Sequence, residues 1–429
     1  MKISKNKLLI YILTFIIVYQ DSLISITHLG FLDHIDELFI LFFVARAIFY
    51  LAKRSNISSL TTKIFILLSL FWVVGVVSCL IHSSYRFSSL LMASILMVKI
   101  YLLIMSLIIH PIKEKTYYHF VDALLFAGKI TAVTGIVNFI APSLWTKLIP
   151  FAYDYTRQGL PSVMGLFIHA GQYGWFMLFI SILYYSKYRT NKEKRSLYLF
   201  IVYACLACLS MKVKVVLGIA TILLFDSFVL QKKRIDAKKI IIPFIGVGFV
   251  IFFFGGLISE TYQMYFTDSG GSARYAFLVG SLSIIKDFFP LGVGFSKFGT
   301  YYAQVNYSEW YYAYGLNTVW GLKPGNIFFG MDTFWPAIMG ETGVLGTIIY
   351  VVLLATIMKA LYRNYKTDVS VNGKSCSFIA LSSLLVFVQA LVESTGEQIF
   401  NSSPQNIVIG IMVGFALSKK LRNGIKIYD

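Results

Sequence analysis

Runs of about 20 mostly apolar residues recur along this chain, and no other feature limits its fold so tightly. A helix rises 1.5 Å per residue and the hydrocarbon core of a bilayer is about 30 Å thick, so each run has spanning length. The runs fall near 8–28, 37–53, 63–82, 88–110, 118–141 and 161–186, then near 196–211, 213–231, 239–258, 333–358, 375–393 and 405–418. The pair 196–211 and 213–231 is almost continuous, divided by little more than Met211-Lys212-Val213-Lys214. Lipid offers the backbone no hydrogen-bond partners, so a spanning segment of this length satisfies its own groups as a helix. The predicted fold class is therefore all-α: a polytopic membrane protein with about 12 transmembrane helices and one long external loop containing short helices. Composition supports this, because 57% of residues are hydrophobic and only 14% charged, against roughly 25% charged in a soluble domain. A soluble enzyme and a disordered chain are both excluded.

The charge balance sets an orientation. Lys and Arg exceed Asp and Glu by 18, which in a soluble protein points to nucleic acid. With the N-terminus placed in the cytoplasm, however, 26 of the 38 basic residues fall at the cytoplasmic ends of the spans. They include Lys187, Arg189, Lys192, Lys194 and Arg195, then Lys232, Lys233, Arg234, Lys238 and Lys239, and Lys374 and the tail lysines. Nine fall outside, and Arg46, Lys99 and Lys129 lie within spans. That asymmetry marks cytoplasmic loops, so both termini are expected in the cytoplasm of a multi-pass protein, and no nucleic-acid partner is expected. The basic N-terminal stretch lacks a small-residue cleavage site and reads as an uncleaved first helix. Arg46, Lys99 and Lys129 read either as snorkelling or paired residues or as an internal polar path. Cys205 and Cys208 have a redox or metal spacing, yet no second pair accompanies them; small apolar residues in a helix is the simpler reading.

Three regions result: helices one to nine over 1–258, with a small external loop at 142–160; a long external loop over 259–332; and helices ten to twelve with a cytoplasmic tail over 333–429. The long loop is not low in complexity. It holds Trp310, Trp320 and many tyrosines, among them Tyr262, Tyr265, Tyr275, Tyr301, Tyr302, Tyr311 and Tyr312. Within it, 273–289 has helical spacing of Phe277, Leu278, Ile284 and Ile285, with Ser272 as a candidate cap. Neither loop carries a Walker motif, a dinucleotide fingerprint, a zincin motif, paired CxxC motifs or an Asp-x-Asp, so no metal and no cofactor is expected.

Two stretches stand out. One is Gly270-Gly271-Ser272-Ala273-Arg274, the predicted helix, then Pro290-Leu-Gly292-Val-Gly294. The other is Asp332 followed nine residues later by Glu341-Thr-Gly343-Val-Leu-Gly346. In this order they resemble the family of O-antigen polymerases and O-antigen ligases. That family's pattern is an Arg opening a loop helix, P-x-G-x-G, a polar residue near the loop's end, and E-x-G-x-x-G. Arg157, followed by Gly165 to Gly171, is similar to the family's earlier Arg and Gly-Phe segment. Ligases typically carry His where Asp332 stands, which favours a polymerase (Wzy-type) over a ligase. The resemblance covers the topology, about 155–175, and 270–346.

The resemblance implies joining of undecaprenyl-pyrophosphate-linked oligosaccharide repeats into O-antigen or capsular polysaccharide at the outer face of a bacterial cytoplasmic membrane. The implied partners are the lipid-linked donor and acceptor, the bilayer and a chain-length regulator protein. The chemistry asks for matching residues. A pyrophosphate leaving group needs cations, and the Arg fork fits phosphate oxygens best; Arg157 and Arg274 are the candidates. A carboxylate must take the acceptor hydroxyl proton; Asp332 is preferred, with Glu341 about 13 Å further along a helix in a different role. Lys212 and Lys214 are further pyrophosphate contacts, and His169, Tyr275, Tyr301, Tyr311 and Trp335 further substrate contacts, tyrosine faces being suited to sugar rings. Plainer roles stand beside these. Arg274 fits a surface position, Arg157 an interfacial anchor, Asp332 a helix cap and Glu341 a structural hydrogen bond. His169 fits a satisfied polar contact. Glu393 and Glu397 fit either an acceptor site or a surface turn. The competing functions are a ligase that moves polymer to lipid A core, and a transporter or flippase of lipid-linked polysaccharide.

Overall fold

The computed structural model describes residues 5–53, 57–230, 255–267, 271–371 and 377–418. It is 76% helical with almost no sheet, as the apolar runs require. The predicted span at 239–258 lies outside the described residues up to 254. So do Gly270, Lys232 to Lys239, Lys374 and the basic tail.

The helices in chain order are α1 (Lys5–Val18), α2 (Gln20–Thr27), α3 (Ile35–Lys53), α4 (Ser59–His82), α5 (Phe87–Ile109), α6 (Glu114–Ile140), α7 (Pro142–Leu148), α8 (Ala170–Asn191), α9 (Lys194–Cys208) and α10 (Val213–Leu224). They continue with α11 (255–266), α12 (Ala273–Asp287), α13 (Tyr301–Val305), α14 (Glu309–Ala313), α15 (Trp335–Val371), α16 (Phe378–Glu393) and α17 (Gln405–Ala416). Two short antiparallel hairpins pair β1 (Thr156–Arg157) with β2 (Leu160–Pro161) and β3 (Leu322–Lys323) with β4 (Asn326–Ile327).

Among the described residues, five helices are long and apolar enough to cross a membrane: α4, α5, α6, α10 extended to Leu230, and α15. The pair α1–α2, bent by 77° at Tyr19, passes the same test only when its two helices are taken together as one broken span. The remaining predicted spans are shorter or more polar. Helices α9, α16 and α17 have 15, 16 and 12 residues, and α3 carries Asp36, Glu37 and Arg46. Their surroundings differ accordingly. From Ala170 to Ser186, α8 is buried except at Gln172, and α17 is buried along its whole length. Helix α8 packs against α9 and α16, and α17 packs against α5 and α16. The outer helices show apolar side chains to the surroundings, such as Leu41, Phe42 and Phe49 of α3 and Phe65 and Ile81 of α4. A soluble protein rarely leaves patches of that extent uncovered, whereas hydrocarbon satisfies them.

The in-span basic residues divide three ways. Lys99 lies 2.6 Å from Asp36 and 2.8 Å from Glu37. Arg46 donates to the carbonyls of His110 and Pro111 at the end of α5. Lys129 is exposed.

The region 259–332 has a core of its own, built from Phe277, Ile284, Phe298, Tyr311, Leu316 and Leu322. Helix α12 occupies the predicted amphipathic stretch, with Phe277 and Ile284 turned inward. Ser272 stands at its N-cap position, but its hydroxyl donates to the Met264 carbonyl at 2.6 Å instead of accepting from the helix.

Candidate functional site

The two glycine motifs meet in space. A straight α15 of 37 residues would be about 55 Å long, well over the thickness of a bilayer, but it breaks at Gly343, where φ is 63° and ψ −162°. An uninterrupted helix would pair Leu345 N–H with Glu341 C=O. Here Leu345 N–H donates to Pro290 C=O at 3.1 Å, and the released carbonyls of Gly340 and Glu341 accept from Val293 N–H at 2.9 Å and Gly294 N–H at 2.8 Å. The P-x-G-x-G segment thus completes the broken helix ladder as a strand would. Irregular backbone at membrane depth is tolerated where protein encloses and satisfies it. Glycine is required at both faces of the contact: a Cβ on Gly294 would enter the Cys79 backbone, and one on Gly343 the Leu291 carbonyl.

Glu341 belongs to this joint. It is fully buried, and one carboxylate oxygen accepts from Lys297 N–H at 2.9 Å, Phe298 N–H at 3.1 Å and the Thr300 hydroxyl at 2.7 Å. It holds the turn that follows Gly294, at a place distinct from the cationic cluster described next.

Arg157 sits in the β1–β2 hairpin, whose turn residues Gln158 and Gly159 both have positive φ, as a tight two-residue hairpin demands. Its guanidinium reaches the Met211 carbonyl at 3.1 Å and Glu260 of α11 at 2.7 Å. That carbonyl belongs to the short link between α9 and α10, which is tied back by Val163 N–H to Leu209 C=O at 2.9 Å and by the Ser162 hydroxyl to Ser210 C=O at 2.8 Å. Lys212 and Lys214 follow at once, at the N-terminus of α10. Lys214 lies 3.2 Å from Glu393 and 2.5 Å from Glu397. Arg274, second residue of α12, lies 3.0 Å from Asp332 and stacks on Tyr265 of α11 with its guanidinium carbon 5.2 Å from the ring centre. Lys212 makes no ion pair among the described residues, although Arg157, Lys214, Arg274 and Glu397 all act on its amine electrostatically.

His169 stands at the N-cap position of α8, within electrostatic reach of both Asp332 and Glu397. Its neighbour Gln172 donates to Asp21 of α2 at 2.6 Å. The cluster therefore gathers the starts of α8, α10 and α12, each with a basic residue in or beside the first turn. Helix N-termini carry partial positive charge and favour anions, and the carboxylates Glu260, Asp332, Glu393 and Glu397 meet that demand for every cation here but Lys212.

The titrating groups are displaced accordingly. Burial first, then Arg157 and Lys214, push the Lys212 amine down to about 8, with Glu397 opposing. Burial raises the Asp332 carboxyl above its ordinary value in spite of the Arg274 guanidinium. Burial acts on Glu397 in the same sense, but Lys214 and Lys212 together hold it below the ordinary value.

Of the residues singled out in the sequence, Arg157, His169, Lys212, Lys214, Arg274, Asp332, Glu393 and Glu397 come together here. Asp332 ends three residues before α15 and pairs with Arg274 instead of capping the helix. Trp335 borders Glu393, its indole donating to the Ser394 hydroxyl at 3.2 Å. Tyr275 is half-buried beside Arg274 in the first turn of α12. Tyr311 stands elsewhere, fully buried with its hydroxyl accepting from Gly299 N–H at 3.1 Å and its ring against Phe277 and Phe298, so it offers no face to a ligand. Tyr301 is half exposed, across Thr300 from the Glu341 joint. Glu260 and Asp21 were not visible as site members. Their only signal is a carboxylate at the edge of an apolar run. No protein-family model matches the chain, and no curated protein matches it.

Proposed function

We propose that this protein is a membrane polymerase that joins oligosaccharide repeats carried on undecaprenyl pyrophosphate, at the outer face of a bacterial cytoplasmic membrane. In this reading the chain crosses the bilayer twelve times with both termini in the cytoplasm, and the cationic cluster faces outward. The observation that carries the proposal is the gathering of Arg157, Lys214 and Arg274 about Lys212, which is half-buried and makes no ion pair among the described residues, with Asp332 in reach of Arg274 and Lys212. An anion with several oxygens suits that arrangement, and a lipid pyrophosphate is one that a membrane supplies.

The acceptor hydroxyl oxygen forms a bond to the anomeric carbon of the donor sugar. The bond from that carbon to the pyrophosphate oxygen breaks, and its electron pair stays on the pyrophosphate. The hydroxyl proton passes to Asp332. Arg274, Arg157 and Lys212 stabilise the charge that develops on the leaving group. A carboxyl raised by burial is a stronger base than one in water, which suits Asp332 to the proton. Opening the Arg274–Asp332 pair frees both groups, one for pyrophosphate and one for the hydroxyl.

The test uses cells that depend on this protein for polymer, carrying Asp332→Asn or Arg274→Ala at normal protein level. Loss of long chains with single repeats still made is the expected result. Long chains persisting in both variants would reject the site.

A further inference from the structure

A shallow cleft lies beside the chain stretch that leads into Asp332. Its wall is formed by Tyr301, Tyr302, Met331, Gln398, Asn401 and Ser402, over a floor from α5. Two chain adjacencies fix its position: Met331 immediately precedes Asp332, and Gln398 immediately follows Glu397. Two of its lining residues are therefore chain neighbours of these carboxylates.

Its chemistry differs from that of the cluster, because no ionised side chain lines it. Tyr301 is 50% exposed and its ring stands at 86° to Tyr302, with centres 5.2 Å apart, so the two rings fix each other's orientation while part of the Tyr301 ring stays uncovered. Gln398 is fixed by its amide, which donates to Gly299 C=O at 2.6 Å and Thr333 C=O at 3.3 Å. Asn401 spends its amide N–H on the Met97 sulfur at 3.2 Å, and its amide oxygen is buried with no hydrogen-bond partner among the described residues. A buried amide oxygen without a donor is unfavourable, and a ligand hydroxyl would satisfy it. An aromatic face beside neutral amides and hydroxyls fits a sugar ring: the ring's C–H face lies on the phenol and its edge hydroxyls meet the amides.

We propose that this cleft is the subsite for the acceptor's terminal sugar, with Tyr301 as its platform and Asn401 as the acceptor of one sugar hydroxyl. The neutral ring is held there, and the hydroxyl that reacts is presented to Asp332. The role as acceptor subsite rests on the polymerase reading, whereas the sugar site itself does not.

The test uses the full chain in lipid nanodiscs with two probes, a panel of methyl hexopyranosides followed by saturation-transfer NMR and inorganic pyrophosphate followed by calorimetry. The expected result is that at least one glycoside receives saturation. Tyr301→Ala and Asn401→Leu each lose that signal while binding pyrophosphate as the unaltered protein does. Lys212→Met shows the reverse. The sugar site is overturned if no glycoside binds, or if a glycoside binds equally well to both cleft variants. Glycoside binding that depends on Tyr301, with no pyrophosphate binding at all, sinks the polymerase reading and leaves the sugar site standing.

Discussion

The protonation of Lys212 gives a number that can be checked at the bench. Its amine is held near pH 8 by burial and by the cations Arg157 and Lys214. At pH 7 about nine-tenths of the protein then carries a charged Lys212, and at pH 9 about one-tenth does. If an anion binds only to the charged form, its Kd weakens about tenfold between those two values, or 1.4 kcal/mol. The ceiling is the value of one charged hydrogen bond, roughly 1.5–3 kcal/mol, so the slope flattens at still higher pH. The sign follows from linkage. Burial disfavours the proton on Lys212 in the free protein, a bound anion favours it, and binding therefore takes up a proton and weakens as pH rises. Arginine side chains do not titrate in this interval. The assay is calorimetric titration of the protein in nanodiscs with a pyrophosphate diester, whose acidic groups stay ionised throughout. Lys212→Met should be weaker at pH 7 and show a much shallower slope. A wild-type Kd that is constant from pH 7 to 9, or a slope that survives intact in Lys212→Met, refutes the reasoning.

Other outcomes follow from the joint between the motifs. Glu341→Ala removes the acceptor of two backbone N–H groups and one hydroxyl, so it should destabilise by about 3 kcal/mol or more. Glu341→Gln keeps one carbonyl oxygen there and should lose less, with polymer formation retained once folded; thermal unfolding and chain length read the two effects apart, and a Gln variant that is stable yet inactive assigns Glu341 to chemistry. Gly343→Ala places a Cβ in a left-handed position against the Leu291 backbone, so about 1–3 kcal/mol of backbone strain adds to a clash. Folded yield should fall sharply; Gly346→Ala also meets a clash, with Thr342 Cβ, but carries no left-handed backbone strain.

Much of this molecule can be read from one strand of letters, and the rest fails for identifiable reasons. Apolar runs reveal helices well, because burial in lipid or in protein imposes the same composition. They do not separate the two cases. Helices α16 and α17 look like spans of modest length and lie almost wholly inside the bundle, and the charged α3 faces outward with its apolar side. The bend at Tyr19 has no Pro or Gly to announce it, since it depends on Gln20 reaching the Leu32 carbonyl and Ser403. The cations of the site were legible because Arg157 and Arg274 stand in the ordered motifs that carry the family resemblance, and a pyrophosphate leaving group calls for cations. Their counter-ions were less so. Glu260 reaches Arg157 across 103 residues, a pairing that no local pattern encodes. Tyr311 shows the opposite error. A tyrosine in an aromatic-rich loop suggests a sugar platform, yet the loop has a core of its own, and a fully buried ring there is packing material.

The central claim is bond formation at the Arg274–Asp332 site, and reconstitution measures it most directly. Purified protein in liposomes would be supplied with lipid-linked repeats extracted from the cells that make its polymer. Chains of two or more repeats are expected, with one undecaprenyl pyrophosphate released for each bond formed and neither product from Asp332→Asn. Movement of the lipid-linked repeat across the bilayer with no lengthening would contradict it.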